Sequence, residues 1–586
     1  MKLFIILSAL FIAGVALDRA PKTTVKAEDR TLIFCSPSFD TSALNAANAP
    51  IFKGLGNHQY KITTASSKAQ LYFNQGLRLL YAFNHSEAGR SFKAAIKADS
   101  ACAMAYWGLG MVLGPNYNAA LNPASLHDIN DAMDKAVKYS ASASAREQAL
   151  VQALAKRFPR KPVDDMTSYN AAYATAMKNA YEKFPADADI AALYADALMN
   201  EHPWNLWLKD GQPQAWTPAI VQVLEQSLQK WPMHPGSNHM YIHAMEASRQ
   251  AGKALPSANR LRNMMPAAGH MVHMPSHIYI RTGDYHEAVI ANEKASAADS
   301  NYVTQCKVQS SYALMLYPHN VHFLAAAAFF EGNSKKAIEA AWRVSRIADK
   351  RYLHENATIQ HYYSIPYYVL VHMGEWDTIL QLHKPGEALK YPTAVWHYAR
   401  GMAFAAEGNL KDGENELLAL KKIAGDESLK QMLIWETNSA ADLVQIAYTI
   451  LGAELYAKRG QYDESISLLR DAVDMESKLT YQEPPDWFFS VRHSLGHVLV
   501  NAGRFAEAEK VYREDLITYP ENGWALMGLC NSLIGQGKMA EARSVKERFN
   551  AAWKHADIKI RSSRADMTLT GSDPVRVVRP FFYLSN

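Results

Sequence analysis

What the 586-residue chain lacks narrows its chemistry early. It has four cysteines, Cys35, Cys102, Cys306 and Cys530, too few and too far apart to staple a scaffold of this length, and no CxxC pair to hold a thiolate zinc site. It lacks a charge excess: 61 Lys+Arg against 57 Asp+Glu leave +4. The basic residues are scattered, so nothing demands a polyanion and no nucleic-acid partner is expected. No G-x-x-x-x-G-K-[ST], G-x-S-x-G or clustered G-x-G-x-x-G occurs, which removes support for phosphate-cradling and nucleophile-elbow chemistry. Strand signals are nearly missing, the candidates being the short terminal runs Arg576-Val577-Val578 and Phe581-Phe582-Tyr583. With 49% apolar and 11% aromatic residues, disorder throughout is excluded.

Long apolar runs are also scarce. Residues 1–16 carry one positive charge at Lys2, a short apolar stretch and small residues at Gly14 and Ala16, and Asp18 and Arg19 follow at once. That is the pattern of a secretory signal peptide, too short to span a bilayer. No later stretch approaches the ~18–20 apolar residues of a spanning helix, the nearest being Phe323–Phe330. The expectation is an exported chain, periplasmic or secreted after signal removal, with no membrane span in the mature part.

What is present is self-similarity at a period of 34. Gly496, Gly503 and Ala508 recur as Cys530, Gly537 and Ala542, and Gly374 recurs as Gly408. Further units run through Tyr72, Gly76, Ala88, Phe92 and Ala95, through Tyr106, Leu109 and Gly110, and through Tyr456, Gly460, Tyr462 and Ala472. These residues resemble the tetratricopeptide repeat. Small residues at Gly76, Ala88, Gly496 and Ala508 let paired helices approach, and Phe92 and Tyr512 fill the gap between neighbouring pairs. Such a unit cannot bury its apolar face alone, so units stack. The expected fold class is all-α: a TPR-like α-solenoid of stacked helical hairpins, irregular in its central section. The spacings divide the chain into a signal peptide (1–16), an extended N-terminal segment (17–65), N-terminal helical repeats (66–230), irregular His-rich repeats (231–350), C-terminal TPR-like repeats (351–556) and a tail (557–586). Arg157–Asp165, basic and proline-containing, reads as an exposed loop.

The central section concentrates histidine. Nine of the 21 histidines fall between His234 and His322, where even spreading gives about three. In Pro235-Gly236-Ser237-Asn238-His239-Met240-Tyr241-Ile242-His243-Ala244-Met245-Glu246, a helix would put His239, His243 and Glu246 on one face, the arrangement that lets two imidazoles grip one metal. Met240 stands where H-E-x-x-H has its catalytic glutamate, so zincin-type proteolysis is not supported. In Gly269-His270-Met271-Val272-His273-Met274-Pro275-Ser276-His277, Pro275 opens a helix, with His270 and His273 on the approach, where Gly269 lets the chain bend, and His277 in the first turn. Pro318 opens another that carries His319 and His322. Setting aside His234 and His286, the candidate metal ligands are His239, His243, His270, His273, His277, His319 and His322. Neutral imidazole suits copper, zinc or iron, and seven exceed the needs of one ion. Either two ions lie close together or some histidines act as outer donors. Six methionines between Met240 and Met274 share the window; thioether ligation would favour copper, and filling core gaps is the simpler role. Glu246 is the one acid beside the histidines, otherwise a solvent-facing helix residue. Trp204 and Trp207 either floor a pocket or pack a loop, and Tyr362, Tyr363, Tyr367 and Tyr368 are expected to pack between helices.

The segments Phe73-Asn74-Gln75-Gly76-Leu77, Ala103-Met104-Ala105-Tyr106-Trp107-Gly108 and Met274-Pro275-Ser276-His277-Ile278-Tyr279 look like a family of exported bacterial repeat proteins of unsettled activity. That resemblance implies the repeat fold and export, and supplies no reaction. Three functions follow from the sequence. The first is a binding scaffold with a protein or peptide partner on the concave surface and a metal at the histidines. The second is a metalloenzyme, oxidative or hydrolytic, at the same site. The third is an interaction protein with a metal-free His/Tyr network.

Overall fold

The structure, a computed structural model, describes residues 49–306 and 312–565, the side chains of residues 305 and 306 excepted. The signal peptide, residues 17–48, the tail from 566 with its two strand candidates, and Cys35 lie outside the described residues. Helical hairpins follow one another from Ser67–Tyr81 with His85–Ala98 to Gly523–Gly535 with Met539–Ala552, each packing on the next. This is the expected all-α solenoid.

The glycines expected to space the helices do so. A Cβ on Gly496 or on Gly528 would stand 2.3 or 2.2 Å from Cζ of Tyr512, so both helices close on one tyrosine ring. Gly76 and Gly108 enclose Phe92 in the same way near the other end. Gly503 and Gly537 adopt φ of 75° and 74° with open space around them, so there the left-handed turn alone requires glycine.

The first helices of the central hairpins are buried on all sides. Every residue of Pro235–Met245 is buried, as is nearly all of Tyr317–Glu331. The partner helix Ser334–Ile347 buries only one stripe, Ala337, Ala340, Ala341, Val344 and Ser345. The inner wall of this solenoid is therefore a core, because other parts of the chain cover it. Tyr312–Glu331 is long and apolar enough by composition to cross a membrane, which corrects the expectation that no later stretch approaches that length; most of it is buried inside the fold.

Irregular segments supply the cover. Residues 49–65 wrap the first hairpins, burying Leu55, Tyr60 and Ile62, with Thr63 bonded to Glu147. Arg157, expected in an exposed loop, is buried with its guanidinium over the Tyr173 ring, and exposure begins only at Arg160. The described part of the tail docks: Asp557 accepts bonds from the backbone of Ser334 and Lys335 at the start of their helix. A small antiparallel hairpin pairs Leu433–Ile434 with Asn438–Ser439. It and the loop between Lys478 and Val491 reach back to the His-rich helices. Cys102 and Cys530 are free, buried thiols.

Candidate metal centre

Local structure fixes where the imidazoles point. Pro235 sits in the first turn of its helix, and His234 caps that turn by accepting from the Ser237 N–H at 3.0 Å. Gly236 lets the helix approach Tyr81, whose ring carbon would lie 2.6 Å from any Cβ there. That closeness brings His239 Nδ1 to the Tyr81 carbonyl at 2.6 Å. The Gly269 approach is itself helical, Gly269–His273, and Pro275 opens the next helix, Pro275–Thr282. Gly269 is required for space, since a Cβ would collide with the Asp299 carboxylate. Asp299 accepts from Tyr312 at 2.7 Å, and the Tyr312 hydroxyl in turn receives the His270 backbone N–H at 3.1 Å. One turn of π-helix, Tyr312–Leu316, leads into Tyr317–Glu331, which carries His319.

Six of the seven candidate histidines converge in two triads. His239, His243 and His270 form one, and His273, His277 and His319 the other, the nitrogens of each lying within 4.8 Å of one another. His270 Nε2 is 3.1 Å from His239 Nε2; His273 Nε2 is 2.9 Å from His277 Nε2 and 3.1 Å from His319 Nε2. His322 lies apart from both. It stacks on Phe488 and meets His361 at 5.5 Å between ring centroids, because it faces the following hairpin.

Four of the six outer nitrogens are tied to oxygens, while His270 Nδ1 and His319 Nδ1 are buried without a hydrogen-bond partner. His239 Nδ1 donates to the Tyr81 carbonyl, and His243 Nδ1 to Glu246 at 2.8 Å. His273 Nδ1 donates to Asn292 Oδ1 at 2.7 Å, the Asn292 amide being oriented by its own donation to the Ala288 carbonyl. His277 Nδ1 lies 2.6 Å from Glu246 and 3.0 Å from Glu483. An Nδ1 that donates leaves Nε2 as a lone pair in neutral imidazole, which is the metal-binding tautomer. His243 Nε2 has no partner at all. Glu246 is thus no solvent-facing residue: it is 1% exposed and bridges one histidine of each triad.

Burial shapes the protonation. It holds His239, His270, His273 and His319 well below the ordinary imidazole value, and His243 is lowered for the same reason. These rings are neutral near pH 7. Burial also pushes His277 down, but the Glu246 and Glu483 carboxylates outweigh it and raise His277 to about 10. In the metal-free chain this imidazolium hands its Nε2 proton toward His273. His273 Nε2 then has two imidazole neighbours and one lone pair, so hydrogen bonding satisfies only one of them.

A cavity of about 460 Å³ opens against these rings. His243, His270, His277 and His319 form one wall, Tyr117, Trp204 and Trp435 line the others, and Glu483 closes a corner. Trp204 meets His243 at 5.7 Å and Trp435 meets His319 at 5.6 Å between centroids. Trp204 therefore floors a pocket, whereas Tyr362, Tyr367 and Tyr368 pack in the core. Among the described residues five non-glycine positions have positive φ, and four of them, Phe83, Trp204, Trp435 and Glu436, surround this site. Phe83 stacks on His270 at 5.5 Å. Such backbone strain persists only where the surroundings over-determine it, and it gathers at functional sites.

Sequence spacing pointed to the imidazoles but missed Glu483, Trp435, Phe83 and Tyr117, none of which carries a local motif. A second cluster, His58, Asp189 and His234, is a hydrogen-bonded knot in which Asp189 Oδ1 accepts from His58, Tyr81 and His234.

No protein-family model matches the chain, and no curated protein matches it. Among solved structures it is similar to the human IFIT1 dimer with m7Gppp-AAAA, at 12% identity over 84% of this chain and 91% of that one, TM-score 0.32. It is similar to the yeast Tom70 structure at 10% identity over 83% and 91%, TM-score 0.28, and to the P58(IPK) TPR domain at 13% over 83% and 93%, TM-score 0.19. Likenesses this distant carry no argument about ligands or partners.

Proposed function

We propose that the chain is a metalloenzyme whose transition-metal centre lies among His239, His243, His270, His273, His277 and His319 and acts on a small molecule held in the adjoining cavity. One observation carries this reading: four of the six imidazoles have Nδ1 committed to an oxygen, so that their Nε2 atoms turn inward, three of them as lone pairs and that of His277 once its proton is displaced, and four of the six rings wall the cavity. Outer partners of this kind orient metal-bound histidines, and a centre that faces a cavity keeps room for a reacting molecule beside the metal. The aromatic walls suit a flat, largely apolar substrate.

The scaffold reading rests on the repeat architecture alone. A concave groove for a peptide would need the inner helices free, and in the central section the chain's own 433–439 and 479–490 segments cover them. We therefore place catalysis ahead of partner binding. We also propose export, supported by the 1–16 signature, and N-terminal sequencing of the protein recovered from its host's envelope or medium tests it: a retained Met1 removes it.

The experiment for the enzyme uses the full mature chain without a histidine tag, reconstituted separately with copper, zinc, iron and cobalt. Metal retained after gel filtration is measured beside a His243→Ala/His277→Ala variant, and azide is titrated into the cobalt form. Stable binding lost in the variant, with azide-sensitive d–d bands, is the expected result. Failure to retain any metal defeats the reading, and a four-coordinate spectrum indifferent to azide reduces the site to a structural one.

A further inference from the structure

The number and identity of the ions can be taken further, on the premise that the site binds metal at all. Protein sites use three or four side-chain donors per ion, and six imidazole nitrogens grouped by threes suit two ions better than one. Rings facing each other across the triads, His243 with His277 and His270 with His273, are 6.0 and 5.9 Å apart between centroids, inside the 4.8–6.2 Å spread of ring pairs within the triads. The two centres are therefore neighbours, as in two-metal sites with ions ~3.5–4 Å apart. Imidazole nitrogens on one ion at bond lengths of ~2.0–2.1 Å stand about 3.3–3.6 Å apart. The closest pairs here, at 2.9 and 3.1 Å, reach that spacing by small ring movements.

Charge selects the metal. All six donors are neutral as ligands, and the carboxylates bonded to them are Glu246 and Glu483, both buried. Two monovalent ions match those two negative charges, whereas two divalent ions would leave two positive charges uncompensated in a buried site. Among metals suited to imidazole, copper has the accessible monovalent state.

We propose that the triads hold a pair of copper ions, one on His239, His243 and His270 and one on His273, His277 and His319, both open to the cavity. The pair serves dioxygen chemistry. Two copper(I) ions give one electron each to dioxygen, yielding two copper(II) ions and a peroxide dianion between them, with the total charge of the site unchanged. That makes the enzyme an oxidative one.

The untagged full chain, loaded anaerobically with copper(I) and then exposed to air, tests this. Copper per chain, copper(II) by chemical assay and spin by electron paramagnetic resonance are measured. Two ions per chain are expected, with the oxidised pair nearly silent because the spins couple. After oxidation with ferricyanide, which takes one electron from each copper, His239→Gln/His270→Gln and His273→Gln/His319→Gln are each expected to keep one copper(II) ion with a full signal, at wild-type circular dichroism. One ion per wild-type chain overturns the proposal while leaving a metal site, and so do two ions whose spins integrate fully or a zinc pair that copper does not displace. Absence of any bound metal removes the premise instead. If the double variants do not fold, wild-type stoichiometry and spin count decide alone.

Discussion

Glu246 shows how much one side chain organises. Its two oxygens meet His243 and His277, one imidazole from each triad, at 2.8 and 2.6 Å. Removing its charge leaves His243 Nδ1 with a weaker acceptor and takes from His277 one of its two carboxylate neighbours, Glu483 keeping the hydrogen bond to that ring. Glu246→Gln is expected to weaken metal binding roughly 10–100-fold, the range for outer-partner substitutions, as read by competition against a chelator. Unchanged affinity would mean that the rings are held by packing alone. A second residue-scale expectation concerns His361, outside the triads. Its Nδ1 faces the Tyr391 hydroxyl at 2.8 Å, its Nε2 has no partner, and burial pushes it down to about 3. The unfolded chain takes up this proton below pH ~6.5 and the folded chain does not, so stability falls as pH drops from there toward about 3. Relative to His361→Leu, the metal-free wild type is expected to lose about 2 kcal/mol between pH 6.5 and 5. Urea unfolding curves at the two pH values give the difference, and parallel pH dependences would refute it.

At the scale of helices, aromatic rings set the distance between neighbours. Tyr512 is clasped by Gly496 and Gly528, and its hydroxyl bonds Ser563 at 2.7 Å, so it cannot easily retreat. Gly496→Ala is expected to cost about 1–3 kcal/mol through overpacking, seen as a lower urea midpoint, and Tyr512→Leu in the same chain should recover part of it. An additive double variant would show that the ring is not the obstacle. Gly496, Phe92 and Tyr512 were legible in the sequence because a 34-residue period sets each beside a fixed neighbour. The His239/His243 face was legible for the same reason, since residues four apart share a helix side. Gly269 was misread as a bend. Its role is to make room for Asp299, thirty positions away, and no local pattern encodes that.

At the scale of the molecule, the site is where distant parts of the solenoid meet. Phe83, Tyr117 and Trp204 arrive from the N-terminal hairpins, and Trp435 and Glu483 from the C-terminal ones. Periodicity reveals which helices stack. It does not reveal which loops cross the concave side, and so these residues stayed hidden in the sequence. If both sides close on one centre, a bound metal stabilises more than its ligands: a ligand at 100 times its Kd adds about 2.7 kcal/mol to every opening that releases it. Openings that separate the walls without unfolding the His helices also expose the centre and fall under the same linkage. Metal addition is therefore expected to slow amide hydrogen exchange in residues 115–121, 433–437 and 479–490 as well as in Pro235–Met245 and Pro275–Thr282. Trp435→Ala should cancel the effect in 433–437 while leaving it in the two helices. Slowing confined to the His helices in the wild type would mean that the covering segments open independently of the centre, and the cavity would then be a surface cleft next to a self-sufficient metal site.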